Sequence, residues 1–340
     1  MKNYWILPLI TITTLLVVIV IVLIRYLWQN FSSRKLLPLM YVQRVRHDDY
    51  VLSITFSPKG NLLASGSLRG IIKLWDIKTG QLLWDVVGHN GAVWGLAFNS
   101  DGTLLISGSA DTILKVWRVD DGALVKTLVI GDPIRSLAIS SDGQLCAIGT
   151  GNFLIKLWNL ASNSISLIGK EMSSICSLVF SPDQRLLASG SSDGIKIWQI
   201  SDSQLVRMIP TKGVYSLSFS NDNQLLASGS NDHIIRLWKV KDGTLLKTLS
   251  GHVNTVCSVV FHPVEPLLVS GGWDGKVKLW RLLDKQTVQE IKEITLGNQI
   301  KINTITLSPD GQFLAIAYDQ IGGQPGWIQI LQIQINLKNY

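Results

Sequence analysis

The segment Leu63-Ala64-Ser65-Gly66-Ser67, followed eight residues later by Trp75, decides the fold of this 340-residue chain. Similar segments recur along the sequence, and each leads to another tryptophan: Trp117, Trp158, Trp198, Trp238 and Trp280. The spacings between these tryptophans are 42, 41, 40, 40 and 42 residues. Self-similarity with a period of about 20 to 50 residues is typical of repeat architectures. The chain is therefore predicted to be a repeat array.

One repeat contains four short predicted strands. In the second repeat they cover residues 93–98, 104–107, 113–119 and 123–128. Turn-forming residues separate them, as in Asn99-Ser100-Asp101-Gly102 after the first strand. Such residues favour tight hairpin turns, and alternating apolar residues favour half-buried strands. Since no helical periodicity appears after residue 30, the body of the chain is predicted to be all-β.

This repeat, with four strands and a terminal tryptophan, resembles the WD40 repeat over residues 41–337. The resemblance implies a seven-bladed β-propeller of four-stranded antiparallel blades over residues 41–338, with six blades or an incomplete seventh as the alternative. It also implies a hydrogen-bonded tetrad of His, Ser or Thr, Asp and Trp in each well-formed blade. Two repeats have all four residues: His89, Ser107, Asp111 and Trp117 in one, and His252, Ser270, Asp274 and Trp280 in the other.

Other repeats depart from the tetrad pattern. The first keeps His47 but has Arg69 at the Asp position, and the third has Asn152 there. The fourth and fifth keep Asp193 and Asp232 but lack the His. We expect these blades to depend more on packing and less on a polar chain.

The seventh repeat is the weakest match. Leu331 stands where the tryptophan is expected, and Trp327 lies four residues too early to take its place. The chain ends soon afterwards, with little room for an outer strand. The predicted strand 41–46 precedes His47 as an outer strand would, so we expect it to complete the seventh blade and to close the ring.

Residues 1–28 are predicted to form a membrane anchor. Residues 3–24 carry no charge and include the apolar run 15–24, and about 20 apolar residues in a helix cross the hydrocarbon core of a bilayer. Aromatic residues flank this run at both ends, as they do at membrane interfaces: Tyr4, Trp5, Tyr26 and Trp28. A single transmembrane α-helix and a tether over residues 29–40 are therefore expected. A cleaved signal peptide is the main alternative and a buried core helix another, but no small-x-small cleavage site follows the run.

Positive charge near the ends of the run predicts its orientation. Lys2 precedes the run, whereas Arg25, Arg34 and Lys35 follow it. Because the side richer in Lys and Arg remains in the cytoplasm, the propeller of this single-pass membrane protein is predicted on the cytoplasmic side.

Charge and cysteine content exclude several classes of function. The formal net charge is +7, but residues 51–340 hold 25 Lys or Arg against 22 Asp or Glu. A nearly neutral body gives little support to nucleic-acid binding. Cys146, Cys176 and Cys257 are too few and too scattered for a zinc site or a disulfide framework.

No enzyme signature is found in the sequence. Residues 190–194 match G-x-S-x-G, but this motif needs a following helix, and here it falls in the repeated turn between the second and third strands. His47, His89 and His252 occupy one repeat position and are interpreted as structural. The sequence therefore predicts no catalytic residue, no cofactor and no metal.

The resemblance implies a partner-binding face around the central channel. In the family, contact residues often lie near the start of the innermost strand and beside the turn Asp. One residue of each blade directly follows the first apolar residue of the innermost strand: Leu52, Trp94, Arg135, Cys176, Tyr215, Cys257 and Asn303. Aromatic residues and Arg are the usual hot spots of interfaces, so the predicted partner-binding residues are Tyr50, Trp94, Arg135, Phe153, Tyr215 and Trp273. The alternative for each is that it fills a gap between blades.

The function that follows is a membrane-tethered scaffold, which binds a protein partner or an assembling complex through one propeller face. The alternative is an exported or lumenal propeller that binds a small ligand or a polysaccharide in its channel.

Overall fold

The computed structural model describes residues 39–283, 287–320 and 324–333. In these residues the strands form seven four-stranded antiparallel sheets, the blades. The first strand, β1 (Leu39–Arg46), belongs to the last blade.

Blade 1 contains β2 (Val51–Phe56), β3 (Leu62–Ser67), β4 (Ile71–Asp76) and β5 (Leu82–Val87). Blade 2 contains β6 (Val93–Phe98), β7 (Leu104–Ser109), β8 (Ile113–Arg118) and β9 (Leu124–Val129). Blade 3 contains β10 (Ile134–Ile139), β11 (Leu145–Thr150), β12 (Leu154–Asn159) and β13 (Ile165–Lys170). Blade 4 contains β14 (Ile175–Phe180), β15 (Leu186–Ser191), β16 (Gly194–Gln199) and β17 (Leu205–Ile209). Blade 5 contains β18 (Val214–Phe219), β19 (Leu225–Ser230), β20 (Ile235–Lys239) and β21 (Leu245–Leu249). Blade 6 contains β22 (Val256–Phe261), β23 (Leu267–Gly272), β24 (Lys276–Leu282) and β25 (Val288–Thr295). Blade 7 contains β26 (Ile300–Leu307), β27 (Phe313–Gln320), β28 (Gln324–Ile333) and β1.

The first strand of every blade lies on the inside of a closed ring. Each of these strands contacts the first strands of both neighbouring blades, and β26 of blade 7 contacts β2 of blade 1. The predicted all-β propeller with seven four-stranded blades is therefore confirmed.

Strand β1 closes the ring, as the sequence predicts. It pairs antiparallel with β28 as the outer strand of blade 7, and it extends two residues further towards the N-terminus than the predicted 41–46. Leu331 pairs with Leu314, as Trp75 pairs with Leu63 in blade 1, so Leu331 does occupy the tryptophan position. Trp327 pairs with Tyr318 instead, and the guanidinium of Arg44 on β1 lies 3.8 Å from its ring centroid.

The cores lie between blades rather than inside them. Trp117 of blade 2, for example, is 5% exposed and belongs to a cluster with Ile72 and Leu74 of blade 1. The glycine of the repeated Ser-Gly-Ser segment makes this contact between blades possible. A Cβ on Gly66 would lie 2.6 Å from Cγ1 of Val93 in the next blade. The sequence repeat thus encodes a close approach between neighbouring sheets.

Both complete tetrads have the expected geometry. In blade 2 the Trp117 indole donates to the Ser107 hydroxyl at 2.8 Å, and His89 Nε2 lies 2.8 Å from the same oxygen. His89 Nδ1 lies 2.9 Å from Asp111 Oδ2. Burial lowers the pKa of His89. In the tautomer with its proton on Nδ1, the ring accepts from Ser107 and donates to Asp111. In blade 6 the corresponding distances are 2.9, 2.8 and 3.0 Å among Trp280, Ser270, His252 and Asp274.

Blade 4 has a polar chain that the sequence analysis missed. Glu171 takes the place of the His, and its Oε1 accepts a hydrogen bond of 2.5 Å from Ser189, to which Trp198 donates at 3.0 Å. Glu171 Oε2 lies 3.1 Å from Lys196 Nζ. The expectation that this blade depends mainly on packing therefore needs correction, because a Glu–Lys pair replaces the His–Asp pair.

Blades 1 and 3 lack the complete chain of hydrogen bonds in different ways. In blade 1, Trp75 donates to Ser65 at 2.9 Å, but neither ring nitrogen of the buried His47 has a hydrogen-bond partner. In blade 3 the Ser and His positions are taken by buried Ile148 and Ile130. Packing does replace the polar chain in blade 3.

The predicted anchor (residues 1–28) and most of the tether (29–40) lie outside the described residues. Among the residues that are described, no helix is long and apolar enough to cross a membrane.

Candidate protein-binding site at the channel mouth

A β-bulge occurs at the same place in the first strand of every blade. In blade 2, Val93 pairs with Ser109 and Gly95 with Gly108, so the pairing register shifts across Trp94. A bulge leaves one extra residue out of the ladder and redirects its side chain. The residues at this position in the seven blades are Leu52, Trp94, Arg135, Cys176, Tyr215, Cys257 and Asn303. They are the same seven residues that the sequence predicts at the start of the innermost strands.

The bulged residues converge on one cavity at the mouth of the channel. All seven line a space of about 670 Å³, together with Trp273 and Lys301. We call this space the mouth cavity. A cavity of this size is within the range of ligand-binding sites, about 300 to 1,000 Å³.

Four of the six predicted partner-binding residues meet there. The Arg135 guanidinium lies 5.1 Å from the ring centroid of Trp94, and Tyr215 and Trp273 contact edge to face with centroids 5.5 Å apart. Lys301 Nζ lies 3.8 Å from the Trp273 centroid. These contacts join side chains of different blades and form two aromatic and cationic clusters at the mouth of the channel, Trp94 with Arg135 and Tyr215 with Trp273 and Lys301.

The other two predicted residues lie elsewhere. Tyr50 lines a smaller neighbouring cavity of about 250 Å³, which shares Leu52, Lys301 and Asn303 with the mouth cavity. Phe153 lines neither of these two cavities. It follows the Asp position of its turn, with a φ of +72°, whereas Trp273 precedes that position. The two sides of the turn Asp are therefore not equivalent.

Hydroxyl groups next to the bulges join neighbouring blades, which sequence reasoning did not anticipate. Ser53 donates to the carbonyl of Val93 at 2.9 Å, and Ser136 accepts from the Leu178 amide at 3.0 Å. Small residues recur one position after the bulge, and this spacing is the signal that identifies them: Ser53, Gly95, Ser136, Ser177, Ser216, Ser258 and Thr304. The hydroxyls of the five serines among them bond to the backbone of the next blade and so hold the first strands together at the wall of the mouth cavity.

The smaller cavity contains an acidic group at the seam between blades 7 and 1. Asn303 donates to Oδ2 of Asp319 and, at 2.8 Å, to the carbonyl of Val51. Asp319 is 6% exposed and its Oδ1 has no hydrogen-bond partner. Burial raises the pKa of Asp319 to about 6.

The thiols of the mouth cavity are not activated. Burial raises the pKa of Cys257 to about 12 and also raises that of Cys176. Thiolate is the reactive form of cysteine, so these groups are poor nucleophiles. Residues 190–194 lie at the hairpin between β15 and β16, where the sequence analysis placed them. In the described part of the chain, no group of three or more His, Cys, Asp or Glu side chains could hold a metal ion.

A closed propeller with an aromatic and cationic channel mouth defines a repeat-built binding protein. The profile of the family described as "WD domain, G-beta repeat" matches six segments, which together make up more than half of the chain: residues 41–76, 80–118, 122–159, 163–199, 203–239 and 243–281. The chain belongs to the WD40 family. This membership confirms the resemblance found in the sequence and indicates a scaffold for protein–protein interaction.

Similar curated proteins match only parts of the chain. A periodic tryptophan protein 2 homolog is 32% identical over 100 residues in Dictyostelium discoideum, and these cover 28% of this chain and 10% of that protein. The homolog from Mus musculus is 35% identical over 83 residues, 24% of this chain and 9% of that protein. Eukaryotic translation initiation factor 3 subunit I from Lodderomyces elongisporus is 32% identical over 97 residues, 28% of this chain and 26% of that protein. Membership of the WD40 family confirms the prediction that the chain is not an enzyme.

Proposed function

We propose that this chain is a scaffold that binds a protein partner at the mouth cavity and holds it at the cytoplasmic side of a membrane. The observation that carries the proposal is the convergence of seven bulged residues, one from each blade, on a single cavity with an aromatic and cationic lining. Interface hot spots are enriched in Trp, Tyr and Arg, and all three line this cavity. One of the relatives is, by its name, a subunit of a larger factor, which is in keeping with a role in an assembly.

The tethering part of the proposal rests on the sequence of residues 3–24. These residues are uncharged, and the described propeller begins at Leu39, only 15 positions after Ile24 in the chain. A tether of this length would keep the ring close to the bilayer. Arg25, Arg34 and Lys35 favour retention of the following residues in the cytoplasm.

A co-purification experiment tests the binding site. The full-length chain is purified from gently solubilised membranes as wild type and as the triple variant Trp94→Ala, Tyr215→Ala, Trp273→Ala. The matched control is Leu83→Ala, Val125→Ala, Val206→Ala, which truncates three side chains of the outer strands that are 49%, 53% and 45% exposed. We expect a protein partner with wild type and with the control, and its loss with the mouth variant. A partner retained by the mouth variant would contradict the proposed site.

Membrane sidedness tests the tether and separates the proposal from an exported, ligand-binding propeller. A protease is added to intact cells and to permeabilised cells, and the propeller is followed with an antibody. We expect the propeller to remain with the membrane and to be degraded by the protease only after the cells are permeabilised. Degradation in intact cells, or release of the chain by carbonate washing, would contradict cytoplasmic tethering.

A further inference from the structure

The charged residues that line the mouth cavity all have one sign. Among the residues that line it, Arg135 and Lys301 are charged, and none is acidic. Arg135 belongs to blade 3 and Lys301 to blade 7, so the two cations approach the cavity from well-separated blades. Neither forms an ion pair with a described residue within 4.0 Å.

Each cation is held over an aromatic ring instead of a carboxylate. Arg135 lies over Trp94, and Lys301 lies over Trp273. A cation–π contact positions a charged group without neutralising it. The charge therefore remains available to a ligand in the cavity.

Many acidic side chains of the surrounding loops are engaged by cations or His rings of their own blades. Asp132 pairs with Lys156 at 2.8 Å, Glu171 with Lys196 at 3.1 Å, and Asp48 with Lys73 at 2.8 Å. Asp111 and Asp274 are bound to the tetrad histidines. Asp319 lies in the smaller neighbouring cavity with Lys301, but it accepts from Asn303 and does not form an ion pair with Lys301. This distribution leaves the mouth cavity with an excess of positive charge.

One residue of the cavity lining has a buried donor without an acceptor. Nε1 of Trp94 is buried and has no hydrogen-bond partner. A buried N–H without an acceptor is unfavourable, and a rotation of the Trp94 side chain would let the oxygen of an acidic group beside Arg135 accept from it. The aromatic surfaces of Tyr215 and Trp273 suit an apolar side chain next to that acid.

We propose that the partner segment bound in the mouth cavity is an acidic peptide, whose carboxylate or phosphate groups pair with Arg135 and Lys301 and whose apolar side chains contact Tyr215 and Trp273. The proposal rests on the proposed function, which places a protein ligand at this site. A peptide is favoured over a nucleic acid because the cavity has only two cations and the body of the chain is nearly neutral.

The proposal is tested with a library of random 12-residue peptides displayed on phage and selected on the purified full-length chain. We expect the selected peptides to be enriched in Asp and Glu next to an aromatic or aliphatic residue. The best peptide is then synthesised with a fluorescein label, and its affinity is measured for wild type and variants. Arg135→Gln and Lys301→Gln are each expected to weaken binding about 10-fold, and the double variant about 100-fold. Lys59→Gln, at the opposite end of blade 1, is the control and should bind as wild type.

Versions of the same peptide identify the acidic group. When the Glu residues of the peptide are replaced by Gln, wild type and Arg135→Gln should bind it with equal affinity. When they are replaced by phosphoserine, the change in affinity for wild type shows whether the cavity prefers phosphate or carboxylate. Selection of neutral or basic peptides, or equal affinity of an acidic peptide for wild type and the double variant, would overturn the proposal but leave the proposed function intact. If no peptide were selected, or if fluorescein-labelled oligouridylate bound in a manner that depends on Arg135 and Lys301, both proposals would be overturned.

Discussion

Trp94 and Trp117 are both tryptophans of blade 2, but they lie in different environments. Trp117 is 5% exposed, belongs to the core between blades 1 and 2, and donates to Ser107. Trp94 is half-buried at the bulge of β6 and lines the mouth cavity. One residue type thus serves stability at one position and, in our proposal, recognition at the other.

Alanine substitutions should separate the two roles. We expect Trp117→Ala to lower the free energy of unfolding by about 3 to 5 kcal/mol, because it leaves a cavity and removes the hydrogen bond that Ser107 accepts from the indole. Trp94→Ala should remain within about 1 kcal/mol of wild type, because little core contact is lost. Chemical denaturation followed by circular dichroism measures both values. Equal losses in the two variants would show that Trp94 is also a structural residue.

We expect His47 to make the stability of the ring depend on pH. Its ring is buried without a hydrogen-bond partner, and burial, with a smaller contribution from Lys73, lowers its pKa from 6.5 to about 4. The unfolded chain therefore binds more protons than the folded chain between these pH values. Stability must then fall as the pH decreases from about 6.5 towards 4.

The variant His47→Leu should lose this component of the pH dependence. For wild type we expect the His47 contribution to reduce the free energy of unfolding by about 2 kcal/mol between pH 7.5 and pH 5. His47→Leu should show a smaller loss over the same range, and the exposed His233→Asn should behave as wild type. Urea unfolding at the two pH values is the measurement. Parallel pH profiles for wild type and His47→Leu would contradict the assignment.

At the scale of elements, blade 4 shows that the polar chain tolerates other chemistry. Glu171 lies 18 residues before Ser189, as His89 lies 18 residues before Ser107. This spacing was visible in the sequence, but a search for His alone does not find it. In both blades a buried side chain accepts a hydrogen bond from the Ser hydroxyl. That side chain is bound in turn by a second polar residue, Asp111 for His89 and Lys196 for Glu171.

Removal of Glu171 should be costly. We expect Glu171→Ala to lower the free energy of unfolding by about 3 to 5 kcal/mol, because Lys196 is left without its carboxylate partner. The double variant Glu171→Ala, Lys196→Met should recover part of this loss. Asp121→Ala, which removes an exposed pair with Arg118, should cost less than about 1 kcal/mol. A similarly small effect of Glu171→Ala would mean that packing alone stabilises blade 4.

The bulges explain both the success and the limits of the sequence prediction at this scale. Counting from the first apolar residue of each inner strand identifies the seven residues of the mouth cavity, because the same bulge recurs in every blade. The bulge itself is a shift in the pairing register between the first and second strands of a blade. The sequence of the first strand alone does not reveal this shift. The positions of Phe153 and Trp273 differ because they lie on opposite sides of the turn Asp, a distinction that sequence position alone did not make.

At the scale of the whole molecule, the ring is closed in blade 7, where the first described strand, β1, pairs with the last, β28. The sequence predicted this arrangement because Tyr41–Arg46 precedes His47 as an outer strand does, and because the seventh repeat lacks one. The stacking of Lys301 on Trp273 was not predictable in this way, since it joins blade 7 to blade 6. Contacts between blades determine the charge and shape of the mouth cavity, whereas the repeat determines the fold.

The central claim is that the protein partner binds at the mouth of the channel, and site-specific photo-crosslinking tests it most directly. A benzophenone amino acid is introduced in place of Leu52, which lines the mouth cavity, or in place of Lys59, which lies in the turn beyond the opposite end of β2. After irradiation of intact cells, we expect a discrete cross-linked protein with the substitution at Leu52 and none with the substitution at Lys59. A cross-link from Lys59 alone would place the binding face at the opposite end of the propeller and contradict the account.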